Sequence, residues 1–173
     1  MKKNFALSAV IAVLFASVGL YFGNLRAHAE VPEPASVHKL FATKILNLNN
    51  QPQALSQWKG KMLLVNFWAT WCTPCVKEMP EMSTLQIQNK AGNFQIIGIG
   101  IDSASNIQEF SSKYKISYPI YVGGTDGSAL LRDLGDEAGG LPFSVLIGPN
   151  GQIKKTYLGR LKMDEVKRDL STP

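Results

Sequence analysis

The chain has 173 residues, enough for one domain of ordinary size with an extension. With 45% hydrophobic and 18% charged residues, its composition excludes a largely disordered protein. The net charge is +5, but residues 31–173 contain 15 basic and 12 acidic residues, which leaves +3 for that part. These charges are scattered along the chain, so they do not predict the dense basic stripe of a nucleic-acid-binding protein.

The amino end predicts a membrane segment. Residues 5–22 are almost wholly apolar, and 18 helical residues rise about 27 Å, close to the hydrocarbon thickness of a bilayer. Lys2 and Lys3 precede the run, which favours a cytoplasmic amino end and export of the remainder. Two interpretations of 1–29 stay open. A signal peptide would be cleaved after Ala27-His28-Ala29, whereas a retained membrane anchor is favoured by the length of the run.

The segment after the anchor predicts an extended spacer. Pro32 and Pro34 disfavour regular structure around them, which predicts an extended linker over 31–37. We therefore divide the chain into the amino-terminal segment, a linker over 30–40 and a folded domain over 41–173.

The folded domain predicts strands that alternate with helices and then close with a hairpin and a helix. Apolar runs predict strands covered on both faces, and a period of 3.6 residues predicts helices. In chain order we expect a strand over 41–48, a turn over 49–52, a helical turn over 54–58, a strand over 62–68, a helix over 73–89, a strand over 94–101, a helix over 105–114, a strand over 118–122, a helix over 128–134, strands over 143–147 and 152–158, and a helix over 162–170. This order predicts an α/β fold with a mixed central sheet flanked by helices.

The only two cysteines, Cys72 and Cys75, follow the strand over 62–68 and begin the next helix. A strand that delivers Cys-x-x-Cys to the first turn of a helix is a redox pattern, because free N–H groups and the helix dipole favour the reactive thiolate. A zinc site would need four ligands, and the only histidines, His28 and His38, lie far upstream. A disulfide that closes a loop of only two residues removes little entropy from the unfolded chain, so the pair does not suggest a purely structural disulfide. Thiol–disulfide exchange is therefore the predicted chemistry.

The sequence resembles the thioredoxin-like TlpA/ResA group of membrane-anchored thiol–disulfide oxidoreductases over about 41–170. The matching segments are Gly60-Lys61, the stretch VNFWATWCTPC over 65–75, Glu78-Met79-Pro80, Leu141-Pro142-Phe143 and Gly148-Pro149-Asn150-Gly151. The resemblance implies a thioredoxin fold with an N-terminal strand extension and an insertion before a cis-proline strand. That insertion matches about 101–140, although no motif can be placed over 123–140.

The resemblance also implies a function. We expect a protein disulfide reductase in the periplasm or on the outer face of the bacterial cytoplasmic membrane, with cytochrome c maturation among its roles. The expected partners are oxidised protein thiols, and no cofactor is expected beyond the redox pair. Because an exported dithiol must be reduced again after each turnover, we also expect a membrane-embedded thiol donor.

Four side chains are expected to carry or support the chemistry. Cys72 begins the helix and is expected to attack, while Cys75 lies one turn further and is expected to resolve the mixed disulfide. Glu78 matches a glutamate of the group that handles protons, although a solvated helix acid is the alternative. Asn66 stands where thioredoxin itself carries a buried acid, which leaves Glu78 or water as the base.

Five further residues are expected to bind substrate, namely Trp71, Thr73, Pro74, Leu141 and Pro142. Pro74 sets the turn between the cysteines, and the neutral Thr73 favours a reducing pair over a strongly oxidising one. The resemblance implies that Pro142 is cis, which leaves the backbone of Leu141 free to pair with an extended substrate. The alternative is an ordinary trans proline at the start of a strand.

Three other functions stay as alternatives. A thiol peroxidase needs its reactive cysteine in a different loop, and a peroxide-consumption assay separates it. A copper-delivery module needs Cys-x-x-x-Cys and a distal histidine, but this chain has two spacer residues and no histidine after His38. A non-enzymatic chaperone on the same scaffold would tolerate Cys72→Ser, so complementation with that variant separates it. We expect no metal site.

Overall fold

Seven strands form one sheet within residues 32–89 and 92–171, the parts of the chain that the computed structural model describes. The strands are β1 (Lys44–Asn47), β2 (Pro52–Ala54), β3 (Met62–Trp68), β4 (Phe94–Gly100), β5 (Ile120–Val122), β6 (Phe143–Ile147) and β7 (Ile153–Leu158). Their order is β2-β1-β5-β4-β3-β6-β7. The central strands β3, β4 and β5 are parallel, whereas the outer pairs are antiparallel, so the predicted mixed sheet is confirmed.

Five α-helices and one 3₁₀ turn accompany the sheet in these residues. They are α1 (Ala35–Ala42), the 3₁₀ turn (Leu55–Trp58), α2 (Thr73–Gln88), α3 (Ala104–Lys113), α4 (Gly124–Asp133) and α5 (Met163–Ser171). The strand β3 separates two apolar layers because its successive side chains alternate between faces. Leu64 and Trp68 pack with α2, α3 and α5, while Leu63 and Phe67 pack with α1 and α4.

The linker predicted over 31–37 is wrong from residue 35 onward. The helix α1 begins at Ala35 and buries Val37, Leu40 and Phe41 in the layer behind β3. Those three positions have the i, i+3, i+4 spacing of a helix, and proline just before a helix is well tolerated. The strand predicted over 41–48 accordingly shrinks to β1, and β2, which was not predicted, pairs with it.

Predictions for the amino-terminal segment fall outside the described residues. The anchor or signal peptide over 1–29 therefore stays a prediction, as does its boundary with the linker. Within residues 32–89 and 92–171, no helix is long and apolar enough to cross a bilayer. Residues from Glu33 onward form one compact unit.

Most of the other predicted elements are confirmed to within one or two residues at each end. The clearest difference lies in α4, which begins at Gly124 instead of Ser128. Gly124 takes a left-handed φ of 52° at the start of the helix, a conformation that glycine adopts at no steric cost.

The fold brings three loops to one edge of the sheet. The strand β3 ends at Trp68 and leads directly to α2. The strand β6 is antiparallel to β3 and pairs Phe143 with Phe67, so the residues before Phe143 lie at the same edge. The strand β7 pairs Leu158 with Phe143 and therefore ends there as well. The cysteines, the proline loop and the loop after β7 thus share this edge.

Candidate active site

Cys72 and Cys75 form a disulfide at the amino end of α2, with an S–S distance of 2.02 Å. Cys72 is the N-cap residue, and its Sγ accepts a hydrogen bond from the backbone N–H of Cys75 at 3.3 Å. Cys72 keeps 6% of its surface exposed, whereas Cys75 is fully buried. Of the pair, Cys72 is therefore the one that an incoming sulfur can approach.

The first turn of α2 places the two residues between the cysteines on the surface. Thr73 and Pro74 are both exposed. Pro74 lies in the first helical turn, where the N–H that proline lacks would have no partner within the helix. The chain can therefore enter the helix directly from the cysteine that caps it.

Glu78 lies one turn beyond Cys75 and is fully buried, which contradicts the alternative of a solvated helix acid. Its Oε1 accepts from Asn66 Nδ2 at 2.9 Å, and its Oε2 accepts from the backbone N–H of Leu161 at 2.8 Å. Burial raises the pKa of Glu78 from 4.5 to about 7, although the hydrogen bonds from Leu161 and Asn66 oppose this rise. A carboxyl with this pKa can both give and take a proton near neutral pH.

Asn66 connects Glu78 to the strand behind the proline loop. In the sheet, Asn66 lies opposite Ser144 on β6, and its Nδ2 donates to Ser144 Oγ at 3.0 Å as well as to Glu78. Ser144 is 1% exposed. Sequence reasoning missed it, although a polar residue inside the apolar strand over 143–147 was a signal that a partner must lie on the facing strand.

A second carboxylate fixes the loop that leads to the disulfide. Asp102 follows β4 and accepts hydrogen bonds from the backbone N–H and the hydroxyl of Thr70. It also accepts from the backbone N–H of Ser103 at 2.7 Å and from Asn106 Nδ2 at 2.9 Å. Burial tends to raise the pKa of Asp102, but these hydrogen bonds outweigh it and lower the pKa. Sequence reasoning missed Asp102 because its partner Thr70 is 32 residues away.

The peptide bond between Leu141 and Pro142 is cis, as the resemblance implied. The carbonyl of Pro142 accepts from the N–H of Gly159 at 2.8 Å, which ties this loop to the end of β7. Among the described residues, the backbone of Leu141 takes part in no hydrogen bond. Leu141 thus offers a free N–H and a free C=O at the edge of the sheet where β3 leads to the cysteines.

Trp71 and Leu141 meet at a small surface cavity. Trp71 is 69% exposed, which is unusual for a large aromatic side chain. A cavity of about 80 Å³ lies between Trp71, Leu141 and residues of α4, including Leu131 and Arg132. The segment over 123–140, to which no motif was assigned, therefore forms one wall of the site.

A groove opens on the other side of the loop before the disulfide. It has a volume of about 280 Å³ and is lined by Thr70, Val76, Phe110, Tyr114 and neighbouring residues. Among residues 32–89 and 92–171, no group of three or more histidine, cysteine or acidic side chains could hold a metal ion.

Comparisons with known proteins agree with this geometry. The Redoxin family matches residues 31–170. The thiol-disulfide oxidoreductase ResA of Geobacillus kaustophilus is 26% identical over 178 residues, which cover 99% of this chain and 98% of that protein. The thioredoxin-related protein of Neisseria meningitidis serogroup B is 34% identical, with a TM-score of 0.64 over 75% of this chain and 100% of that one.

A third relative supports the fold alone. The MTB dsbF structure, solved in mixed oxidized and reduced forms, has a TM-score of 0.68 at 22% identity and covers 81% of this chain and 98% of that one. The expected thioredoxin-like architecture is confirmed by these structures, with β1 and β2 as its N-terminal strand extension.

Proposed function

The chain belongs to the Redoxin family and is a thiol–disulfide oxidoreductase, and we propose that it works as an exported reductase of protein disulfides through Cys72 and Cys75. The observation that carries this proposal is the disulfide at the start of α2, with one slightly exposed and one fully buried cysteine. Because only Cys72 is exposed, it reacts first, with the substrate protein, and Cys75 reacts second.

In the first step the thiolate of Cys72 attacks one sulfur of a substrate disulfide. A bond forms between Cys72 and that sulfur, the substrate S–S bond breaks, and the second substrate sulfur leaves with the electron pair and takes a proton from water, which received one when Cys72 ionised. The backbone N–H of Cys75, which donates to Cys72 Sγ, and the positive end of the α2 dipole stabilise the attacking thiolate.

In the second step Cys75 resolves the mixed disulfide. Its thiol gives a proton to the Glu78 carboxylate, and the resulting thiolate attacks the sulfur of Cys72. The Cys72–Cys75 bond forms, the remaining substrate sulfur leaves as a thiolate, and Glu78 returns its proton to it. Two electrons and two protons thus pass to the substrate, and the enzyme becomes the disulfide. A carboxyl with a pKa of about 7 suits both transfers.

Substrate polypeptide binds along the proline loop in this proposal. The free backbone groups of Leu141 pair with an extended segment of the substrate, as an added strand would. Trp71 packs on a side chain of that segment, and the exposed Thr73 and Pro74 allow the substrate backbone to pass close to Cys72. Pro142 precedes Phe143, which pairs with Phe67, so the proline loop lies at the edge of the sheet that carries the cysteines.

A reductase that works outside the cytoplasm needs an electron donor there, because that compartment is oxidising. The apolar run over 5–22 favours export with a retained anchor, so the domain works on the outer side of the cytoplasmic membrane. A membrane-embedded thiol donor re-forms the dithiol after each turnover. Apocytochrome c, whose cysteines must be reduced before haem attachment, is a substrate that suits this location and the family resemblance.

Cysteine variants of the full-length chain test the proposal. Cys72→Ser should abolish reduction of a protein disulfide such as insulin, while Cys75→Ser should accumulate a mixed disulfide that is visible on a non-reducing gel. Alkylation of the wild-type protein in cells should find the pair mainly as the dithiol. Full activity in either variant contradicts the assigned roles, and a pair that is always oxidised in cells indicates an oxidase instead.

A further inference from the structure

The buried side-chain amide of Asn66 forms hydrogen bonds through its nitrogen but not through its oxygen. Its Nδ2 donates to Glu78 Oε1 at 2.9 Å and to Ser144 Oγ at 3.0 Å. Its Oδ1 is buried and has no hydrogen-bond partner in the described part of the chain. Rotation of an amide by half a turn exchanges its nitrogen and oxygen with almost no change in shape, so both orientations fit the same space.

The other oxygen of Glu78 faces a donor that cannot be exchanged. Its Oε2 accepts from the backbone N–H of Leu161 at 2.8 Å, and a backbone N–H cannot act as an acceptor. The present pair of donors therefore suits the ionised carboxylate. When Glu78 is protonated, Oε2 keeps its bond from Leu161, and the proton resides on Oε1, directly opposite Asn66.

We propose that the Asn66 amide rotates when Glu78 takes up a proton, so that Asn66 Oδ1 accepts the hydrogen bond from the protonated Oε1. Asn66 is then a positioning residue that keeps the proton on one oxygen of the carboxyl. Ser144 suits both orientations, because a hydroxyl can accept from Nδ2 and can equally donate to Oδ1. The proposal deepens the function proposed above and rests on the role given there to Glu78, but the orientation of the amide is measurable without any activity.

The groups that face Glu78 lie on three segments and set the pH at which the rotation occurs. Arg160, after β7, favours the ionised carboxylate, whereas Glu81, on α2, disfavours it. Burial and the neighbouring Glu78 raise the pKa of Tyr118, before β5, so its phenol stays protonated near neutral pH. The cysteines do not titrate while their disulfide is closed, and the rotation should therefore follow the protonation of Glu78.

Nuclear Overhauser effects (NOEs) on the full-length chain in detergent micelles can detect the rotation. The disulfide is kept closed, the Asn66 side-chain amide and the Glu78 carboxyl carbon are isotope-labelled, and the pH is varied about two units on either side of the pKa of about 7. At high pH we expect NOEs from the Asn66 amide protons to the Hβ protons of Ser144. At low pH these effects should fall to background, with the same midpoint as the carbon signal of Glu78.

Two variants provide the controls. Glu78→Gln keeps an oxygen on the Leu161 N–H and presents an NH₂ donor to Asn66, as the protonated acid does, so it should hold the low-pH pattern at every pH. Glu81→Gln removes an exposed charge and should keep the pH-dependent pattern. The proposal is overturned if the wild-type NOEs persist unchanged through the titration of Glu78, or if Glu78→Gln retains the high-pH pattern. A normal rotation in a chain that reduces no disulfide supports this proposal while overturning the proposed function.

Discussion

Replacement of Glu78 by glutamine should slow disulfide exchange and, at alkaline pH, stabilise the fold. Glutamine has the length of glutamate and keeps an oxygen for the N–H of Leu161, but it cannot ionise or transfer a proton. Because the two expected effects have opposite signs, a variant whose site is merely disordered cannot reproduce them.

The effect on stability follows from proton linkage. Burial raises the pKa of Glu78 to about 7 in the folded chain, against 4.5 as its ordinary value. The folded state therefore holds this proton more tightly than the unfolded state, so the contribution of Glu78 to stability is fully present below pH 4.5 and is lost as the pH rises through about 7. At about 1.36 kcal/mol for each pKa unit, the decline attributable to Glu78 is about 3 kcal/mol.

Urea unfolding and exchange kinetics measure the two effects. Unfolding is followed with the disulfide closed at a series of pH values, and Glu78→Gln should lack the decline of about 3 kcal/mol that the wild type shows. General acid–base catalysis contributes about 10²–10⁴-fold, so exchange at neutral pH should slow at least about 100-fold in the variant. Its rate should also lose the step near the pKa of Glu78.

Glu81 provides the matched control for this experiment. It lies three residues further along α2, is exposed, and pairs with Arg160 at 2.6 Å. An exposed ion pair contributes about 0–1 kcal/mol, so Glu81→Gln should change neither stability nor rate by much. If Glu78→Gln keeps the wild-type decline in stability, a group other than Glu78 titrates. If both variants slow exchange equally, Glu78 does not transfer the proton.

Three other substitutions test separate parts of the structure. Asp102→Ala removes the acceptor for the N–H and hydroxyl of Thr70. We therefore expect the free energy of unfolding in urea to fall by about 1–3 kcal/mol and the tryptophan fluorescence to change. If neither changes, Asp102 does not fix the loop. Leu40→Ala should cost about 2–5 kcal/mol if α1 belongs to the core, whereas the exposed His38→Ala should cost little, and equal effects would contradict that placement. Trp71→Ala should raise the KM for a protein disulfide without changing the rate with a small disulfide reagent, and an equal loss with both substrates would instead give Trp71 a role in the chemical step.

Local patterns were sufficient to predict most elements of the fold. The apolar run over 62–68 could only be a strand with two covered faces, and it is β3. The failure at 31–37 has a physical cause, since proline restricts its own φ but is well tolerated just before a helix. The two prolines therefore hid a short amphipathic helix whose stability comes from packing against the sheet, through Leu40 and its neighbours, and not from its own sequence.

The chemistry of the site was harder to predict from the sequence, because it depends on contacts between distant parts of the chain. The sequence identified Glu78 but left open whether it is buried or solvated. What decides this is the N–H of Leu161, 83 residues away, together with Asn66, which is itself held by Ser144, 78 residues from it. A titrating carboxyl in this position can therefore arise only after β3, β6 and the loop after β7 have assembled around α2, so the pH at which Glu78 exchanges its proton should depend on the integrity of all these elements.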